Sequence, residues 1–381
     1  MYIWKKLKTQ IMKRIVFSPM IVFLVSISIA SPGDKGMDSL VFSLASRFIN
    51  EPGHVGLSIA VLDRGNIHFY DYGSIRRKVQ IKPTERTIYE MASLTKTFTG
   101  ILLAKAVTEG RVRLSDDIRK YLPGNYPELQ FAGRPITIRD VASHTAGLPK
   151  NLPPIPKQRT PAGILADSGR YSRENFLKEL ARFKPDTIPG TRFNYSNAGT
   201  QLIGLILERV YSMSYEELVK KYITLPLHMP DTKLVRPEMD PARTASGYNE
   251  QGEVMPAFAF WPGLPAAAGL RTTAADMVNY MAYNLNERDE AVRLAHQPVF
   301  FHTPENGQDI GLFWFSRLLP DGTRAVMHAG GSFGCTSYCM LFPDQQIGIM
   351  CLANDASPGT EQELRVMSQE MGTYLIHKAP H

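Results

Sequence analysis

Thr336-Ser-Tyr-Cys-Met-Leu-Phe342, Pro343-Asp-Gln-Gln346 and Ile347-Gly-Ile-Met-Cys-Leu352 follow one another near the C-terminal end of the chain. Two apolar runs rich in β-formers flank a short polar connection, the pattern of a β-hairpin. A hairpin joins antiparallel neighbours, because parallel strands need a crossover of a dozen residues or more. Working outward, Leu312–Leu319 and Arg324–His328 read as strands before it, and Glu361–Ile376 as a closing helix after it. A second hairpin lies far away in the chain, Val55–Leu62 and Ile67–Tyr72 around Asp63-Arg-Gly-Asn66. Asp38–Asn50 precedes it, with Leu40, Val41, Leu44, Ala45 and Phe48 at helical spacing.

Between the two ends the periodicity is helical. A long helix is signalled from Ser93 to about Glu109, where Gly110 stops it. Ile138–Ser143, Arg173–Phe183, Ala198–Val210, Tyr215–Tyr222 and Ala274–Asn286 follow, separated by Pro- and Gly-containing loops. The loop Leu148–Pro161 carries five prolines, which makes it stiff and suits a surface or cleft rim. Strands at both ends with helices between predict an α/β fold, one antiparallel sheet built from both termini and flanked by helices, with an all-helical insert. The expected boundaries are 31–90 together with 265–381 for the α/β part and 91–264 for the helical part, with the functional site at their interface.

The chain has 381 residues, 43 Lys+Arg against 36 Asp+Glu, and a net charge of +7. Lys5, Lys6, Lys8, Lys13 and Arg14 all fall in the first 30 residues, which hold no acid. Without those five, 38 basic residues face 36 acidic ones, so the body of the protein is nearly neutral. That balance argues against a nucleic-acid partner. The basic start runs into the apolar segment Ile15–Ala30, which ends on small residues before Ser31-Pro32-Gly33. This is the layout of a secretory signal peptide over 1–30, and it predicts a periplasmic or secreted protein. If the segment were kept, it would be the only membrane attachment expected. The three cysteines, Cys335, Cys339 and Cys351, read as buried thiols, although the hairpin sets Cys339 roughly opposite Cys351 and leaves a cross-strand bridge conceivable. No metal-ligand spacing occurs, and no cofactor is expected. Oligomeric state is not legible.

Three short motifs carry residue types that do chemistry. In Ser93-Leu94-Thr95-Lys96, a hydroxyl and an amine lie one helical turn apart on one face, so the amine can serve as base to a serine nucleophile. The helix start and the apolar neighbours Leu94 and Phe98 should lower the lysine's pKa. The N–H of Ser93 is also one of the unsatisfied donors of a helix start, free to stabilise an oxyanion. In Tyr195-Ser196-Asn197, a phenol and an amide stand before a helix, although Ser196 or Asn197 could merely cap it and Tyr195 merely be a half-buried aromatic. His328-Ala329-Gly330-Gly331 ends a strand, and its glycines allow a ligand close to the backbone, with the Gly331 N–H as a second oxyanion donor.

Together, in this order, the motifs resemble the serine β-lactamase and penicillin-binding superfamily, in particular its class C and DD-peptidase branch, with S-x-x-K, Y-x-N and a K-T-G or H-x-G element. The stretches Ile136–Pro149, Pro265–Met277 and Leu225–Thr232 are similar to the same family, and the resemblance spans about residues 38 to 376. It implies a β-lactamase/DD-peptidase-like fold and an exported serine hydrolase. Ser93 would be the acylated nucleophile and Lys96 its base or proton shuttle, the first proton going to Lys96 or to Tyr195. Tyr195 would activate Ser93 and later the water, its pKa lowered by a nearby ammonium. Asn197 would hold the substrate's amide carbonyl, and the N–H groups of Ser93 and Gly331 would form the oxyanion hole. His328 stands where β-lactamases carry lysine, and Ala329 brings no hydroxyl. Anchoring of a carboxylate should therefore be weak, which points to a DD-carboxypeptidase, an endopeptidase or an esterase acting on peptidoglycan D-Ala peptides or other small amides and esters. The alternatives are a class C-type β-lactamase and, from another class, a penicillin-binding sensor or cell-wall interaction protein that acylates without turnover.

Gly330-Gly-Ser-Phe-Gly334 also matches the G-x-S-x-G elbow of α/β-hydrolases. An elbow needs a helix directly after its serine. The alternating β-formers from Cys335 to Phe342 predict a strand instead, so Ser93 is the preferred nucleophile.

Overall fold

The computed structural model describes residues 34–156, 160–234, 240–257, 264–303 and 307–378. Both hairpins are present. The first is β1 (Gly56–Asp63) and β2 (Asn66–Gly73). Near the other end come β3 (Asp309–Ile310), β4 (Phe315–Leu318), β5 (Arg324–Gly331), β6 (Thr336–Phe342) and β7 (Ile347–Ala353). They form one seven-stranded sheet in the order β2-β1-β7-β6-β5-β4-β3, antiparallel at every pairing. The sheet closes through β1 and β7, where Leu57 faces Ala353 and Asp63 faces Ile347. An α/β fold with an antiparallel sheet from both ends is thus what the chain adopts.

The strand expected at Leu312–Leu319 is shorter, and β3 is an addition. Gly311 N–H bonds the Trp314 carbonyl and Phe313 takes a left-handed backbone with φ of 60°, so the chain turns before it can extend. Extended pairing therefore begins only at Phe315.

Helices cover both faces of the sheet. On one, α1 (Lys35–Asn50) brings Met37, Val41, Leu44 and Phe48. The C-terminal helix, Thr360–His377, brings Leu364, Met367, Met371 and Leu375 to the same layer. Ile59, Met340, Phe342, Ile349 and Cys351 meet them there. Cys339, Leu341, Met350 and Leu352 alternate to the opposite face, where α2 (Thr95–Thr108) and α4 (Ala274–Leu285) lie. Being buried on both faces, β6 and β7 read as continuous apolar runs rather than alternating ones. The register also decides the cysteines. Cys339 pairs with Met350 and Cys351 with Tyr338, so the two thiols project from opposite faces and all three cysteines are free and buried.

The central helix α2 is buried on every side, from Thr95 to Ala104 without interruption. Its polar side chains are satisfied internally, as burial demands. Thr97 donates to the Leu94 carbonyl, Thr99 to the Ala266 carbonyl, and Thr95 accepts the Leu270 N–H. Phe98 stacks on Tyr280 at 4.0 Å. Next to it runs α3 (Asn197–Tyr211), whose N-cap Ser196 accepts the Gly199 N–H and donates to the Pro149 carbonyl. Helix α2 thereby carries its first residues to the end of β5 and the start of α3. No helix among the described residues is long and apolar enough to cross a membrane. The proposed signal segment 1–30 lies outside the described residues.

Candidate active site

The chain enters α2 through a 3-10 turn, Ala92–Leu94, and Ser93 is its middle residue. Ala92 is held at φ of 46°, a conformation costly for a residue with a Cβ. The turn is pinned from two sides. Met91 N–H donates to the Leu270 carbonyl, and Ser337 Oγ, on β6, donates to the Met91 carbonyl. Ser93 itself is half-buried, while its neighbours Ala92 and Leu94 are buried.

Lys96, one turn along, is fully buried. Its Nζ donates to Ser93 Oγ at 2.9 Å and to the Ala267 carbonyl at 2.8 Å. Burial holds the amine well below the ordinary lysine range, and the charge of Lys150 adds to the shift. The lowering expected from the helix start occurs, with desolvation as its main cause. A neutral amine has a lone pair and can take the proton of Ser93.

Tyr195 shares a hydrogen bond with Ser93, and its ring lies 5.0 Å from Lys96 Nζ. Here the structure corrects an expectation. Burial pushes the phenol up, and that outweighs the lowering by the Ser93 hydrogen bond. Tyr195 is therefore a neutral hydroxyl that can donate to, or pass a proton along from, Ser93. Asn197 opens α3 beside it. Its Nδ2 donates to Asn151 Oδ1 at 3.0 Å and its backbone N–H to the Lys150 carbonyl, so one N–H of the amide expected to meet a substrate carbonyl is already engaged. The Oδ1 of Asn197 is buried without a partner among the described residues.

The end of β5 forms the opposite wall. Gly330 is needed for packing: a Cβ there would lie 2.2 Å from the Met91 carbonyl and 2.5 Å from Ser337 Oγ. This bare strand backbone is what lets β5 approach the Ser93 turn. Gly331 is exposed with open space around its α-carbon. Ser332 N–H donates to the Cys335 carbonyl, so in the antiparallel alternation Gly331, opposite Thr336, is a non-hydrogen-bonded position. Its N–H thus points away from β6, on the side where β4 has ceased to pair beyond Met327. That is the disposition an oxyanion donor requires.

His328 lies on the same strand. It is buried, its Nδ1 sits 2.6 Å from the Ala329 carbonyl, and its Nε2 has no partner among the described residues. Burial and the Lys96 charge pull its pKa down to about 3. The imidazole is neutral throughout the ordinary pH range and does not titrate near 6.5. It offers no charge to a carboxylate.

Sequence reasoning named Ser93, Lys96, Tyr195, Asn197, His328, Gly330 and Gly331, and the fold draws all seven around one turn. It missed Ala267, whose carbonyl orients Lys96, and Asn151, which holds Asn197. Neither has a signature of its own, since a backbone carbonyl belongs to every residue and Asn151 lies on a proline-rich loop. Ser332, the competing nucleophile, accepts the Cys335 N–H within a turn that leads directly into β6. No helix follows it, so it forms no elbow. Among those described, no group of three or more His, Cys, Asp or Glu side chains is arranged to hold a metal ion.

A sequence model of the Beta-lactamase family matches residues 41–369. The curated relatives include "Protein flp" of Staphylococcus aureus, 29% identical over 320 residues. That match covers 80% of this chain but 60% of the relative, so the chain spans less than two thirds of that protein's length. A "Beta-lactamase" of Yersinia enterocolitica is 24% identical, covering 92% of this chain and 96% of the relative. Among solved structures, a "Beta-Lactamase/D-Alanine Carboxypeptidase" from Pseudomonas syringae superimposes with a TM-score of 0.74 at 23% identity, covering 91% of this chain and all of the other. A protein of the same description from Yersinia pestis, complexed with citrate, does so with 0.74 at 22%, covering 89% and 99%.

Proposed function

Because the chain belongs to the Beta-lactamase family, we propose that it is a serine hydrolase that works through an acyl-enzyme on Ser93 and releases it with water. The observation that carries this reading is the contact of the buried Lys96 amine, its pKa lowered by desolvation, with Ser93 Oγ. Lys96 takes the hydroxyl proton as Ser93 attacks a carbonyl. The N–H groups of Ser93 and Gly331 receive the oxyanion, and the neutral Tyr195 hydroxyl relays a proton to the leaving group. Water then enters by the reverse of these transfers.

The substrates we propose are small amides and esters, D-alanyl peptides of peptidoglycan among them. A neutral His328 in place of an ammonium leaves a substrate carboxylate without its usual cation, which supports neutral esters and amides over efficient β-lactam hydrolysis. The basic and apolar segment 1–30 supports action in the periplasm or outside the cell.

Wild-type protein, Ser93→Ala and Ser332→Ala are compared on a short-chain nitrophenyl ester, a D-Ala-D-Ala peptide, a chromogenic cephalosporin and a fluorescent penicillin. The expected result is ester or peptide turnover that Ser93→Ala abolishes and Ser332→Ala retains. Full activity in Ser93→Ala would overturn the mechanism. A stable penicillin adduct with no turnover of any substrate would make the protein a binder instead.

A further inference from the structure

We propose that His144 is a positioning residue that fixes Tyr195 against Ser93; the inference rests on the reading of Ser93 and Tyr195 given above. Tyr195 stands on a segment of irregular backbone ahead of α3, where no ladder holds it in place. His144, 51 positions earlier, grips that segment on both sides of the tyrosine. Its carbonyl accepts the Asn194 N–H at 2.7 Å, and its ring Nδ1 accepts the Ser196 N–H at 3.2 Å. Between these two bonds the imidazole lies against the Tyr195 ring, centroid to centroid 4.7 Å. One residue therefore touches Tyr195 and both of its neighbours.

The backbone of His144 makes the same point. It is a non-glycine residue at φ of 58°, in a stretch where Gly147 takes the other left-handed position at 72°. The side chain is kept there although it strains the backbone, and although a polar ring must be buried among Phe193, Phe313 and Phe315. An apolar side chain would fill that space equally well but would leave the buried Ser196 N–H without an acceptor. Since Nδ1 accepts, the ring proton sits on Nε2, which has no partner among the described residues. The imidazole thus makes its single strong bond to the segment bearing Tyr195. Displacement of a reacting group by about 1 Å is enough to cost about a hundredfold in rate, so such a grip has catalytic consequences.

The test measures kcat and KM on a nitrophenyl ester for His144→Phe, which keeps a ring and loses the acceptor. It pairs this with His144→Asn, whose Oδ1 can replace Nδ1 and whose backbone tolerates positive φ. We expect His144→Phe to lower kcat at least tenfold with KM changed less than about threefold. His144→Asn should restore kcat to within about threefold of wild type. In a Tyr195→Phe background, His144→Phe should cost less than twofold more, because a residue acting through the tyrosine hydroxyl has nothing left to position. If His144→Phe does not fold, His144→Gly takes its place, and added imidazole should raise its kcat. A full additional loss in the Tyr195→Phe background, or an unchanged kcat in His144→Phe, overturns the inference. Ser93→Ala, run alongside, separates the two levels. Activity surviving in it defeats the underlying reading, whereas inactivity with indifferent His144 variants defeats this inference alone.

Discussion

The α-carbon of Gly330 and the carbonyl oxygen of Met91 are so close that a Cβ on the glycine would lie 2.2 Å from that oxygen. The contact is backbone against backbone, so no side-chain rotamer can relieve it. Gly330→Ala should push β5 off the Ser93 turn, lowering stability by about 1–3 kcal/mol and activity by more than the stability loss explains. Gly331→Ala meets open space and keeps the N–H, so its melting temperature should stay within a degree or two of wild type. Thermal unfolding and kcat/KM of the two variants check the contrast.

Lys96 sets the acid side of the pH profile. Its amine must be free to act as base, and burial lowers its pKa below the usual lysine value of 10.5. On a neutral ester, kcat/KM should rise with pH through that lowered pKa and be level well before pH 10. A rise that continues to pH 10 would contradict the burial argument. Lys96→Arg keeps a permanent charge and should lose about 10²–10⁴-fold, with no recovery at high pH.

His328 should contribute nothing to that profile. With a pKa near 3 it is neutral wherever the enzyme is folded and assayed. Its ring resonances should show no titration between pH 5 and 9 by NMR. His328→Gln should leave the acid limb where wild type has it, whatever it does to the plateau. Carboxylate-bearing and neutral substrates should share the same limb, since the limb belongs to Lys96.

The cysteines are inert by burial. Desolvation pushes the Cys351 thiol up to about 12 and raises Cys335 and Cys339 as well. A thiol-specific reagent should label none of them in the native protein and all three in denaturant. A reductant should leave the melting temperature unchanged, because Cys339 and Cys351 face opposite sides of the sheet. Labelling of two fewer thiols in non-reducing denaturant would reveal a bridge and refute the register.

Much of this was legible in the chain because it is local. The hairpin Thr336–Leu352 announces its strands through apolar runs and a proline connection, and the sheet follows from finding a second hairpin at the other end. Ser93 and Lys96 meet because a helix brings residues three apart onto one face, a geometry that needs no tertiary information. What the order of residues did not disclose is the protonation of the site. The lowering of Lys96 was legible in its helix, but Tyr195 is kept neutral and His328 is silenced by burial under segments distant in the chain, and the carbonyl that orients Lys96 belongs to Ala267, 171 residues away. The sequence by itself determined the strands, the central helix and the nucleophile with its amine. Only the tertiary structure decided their charges, because a pKa answers to the water that folding removes, and no short motif records which distant segments will remove it.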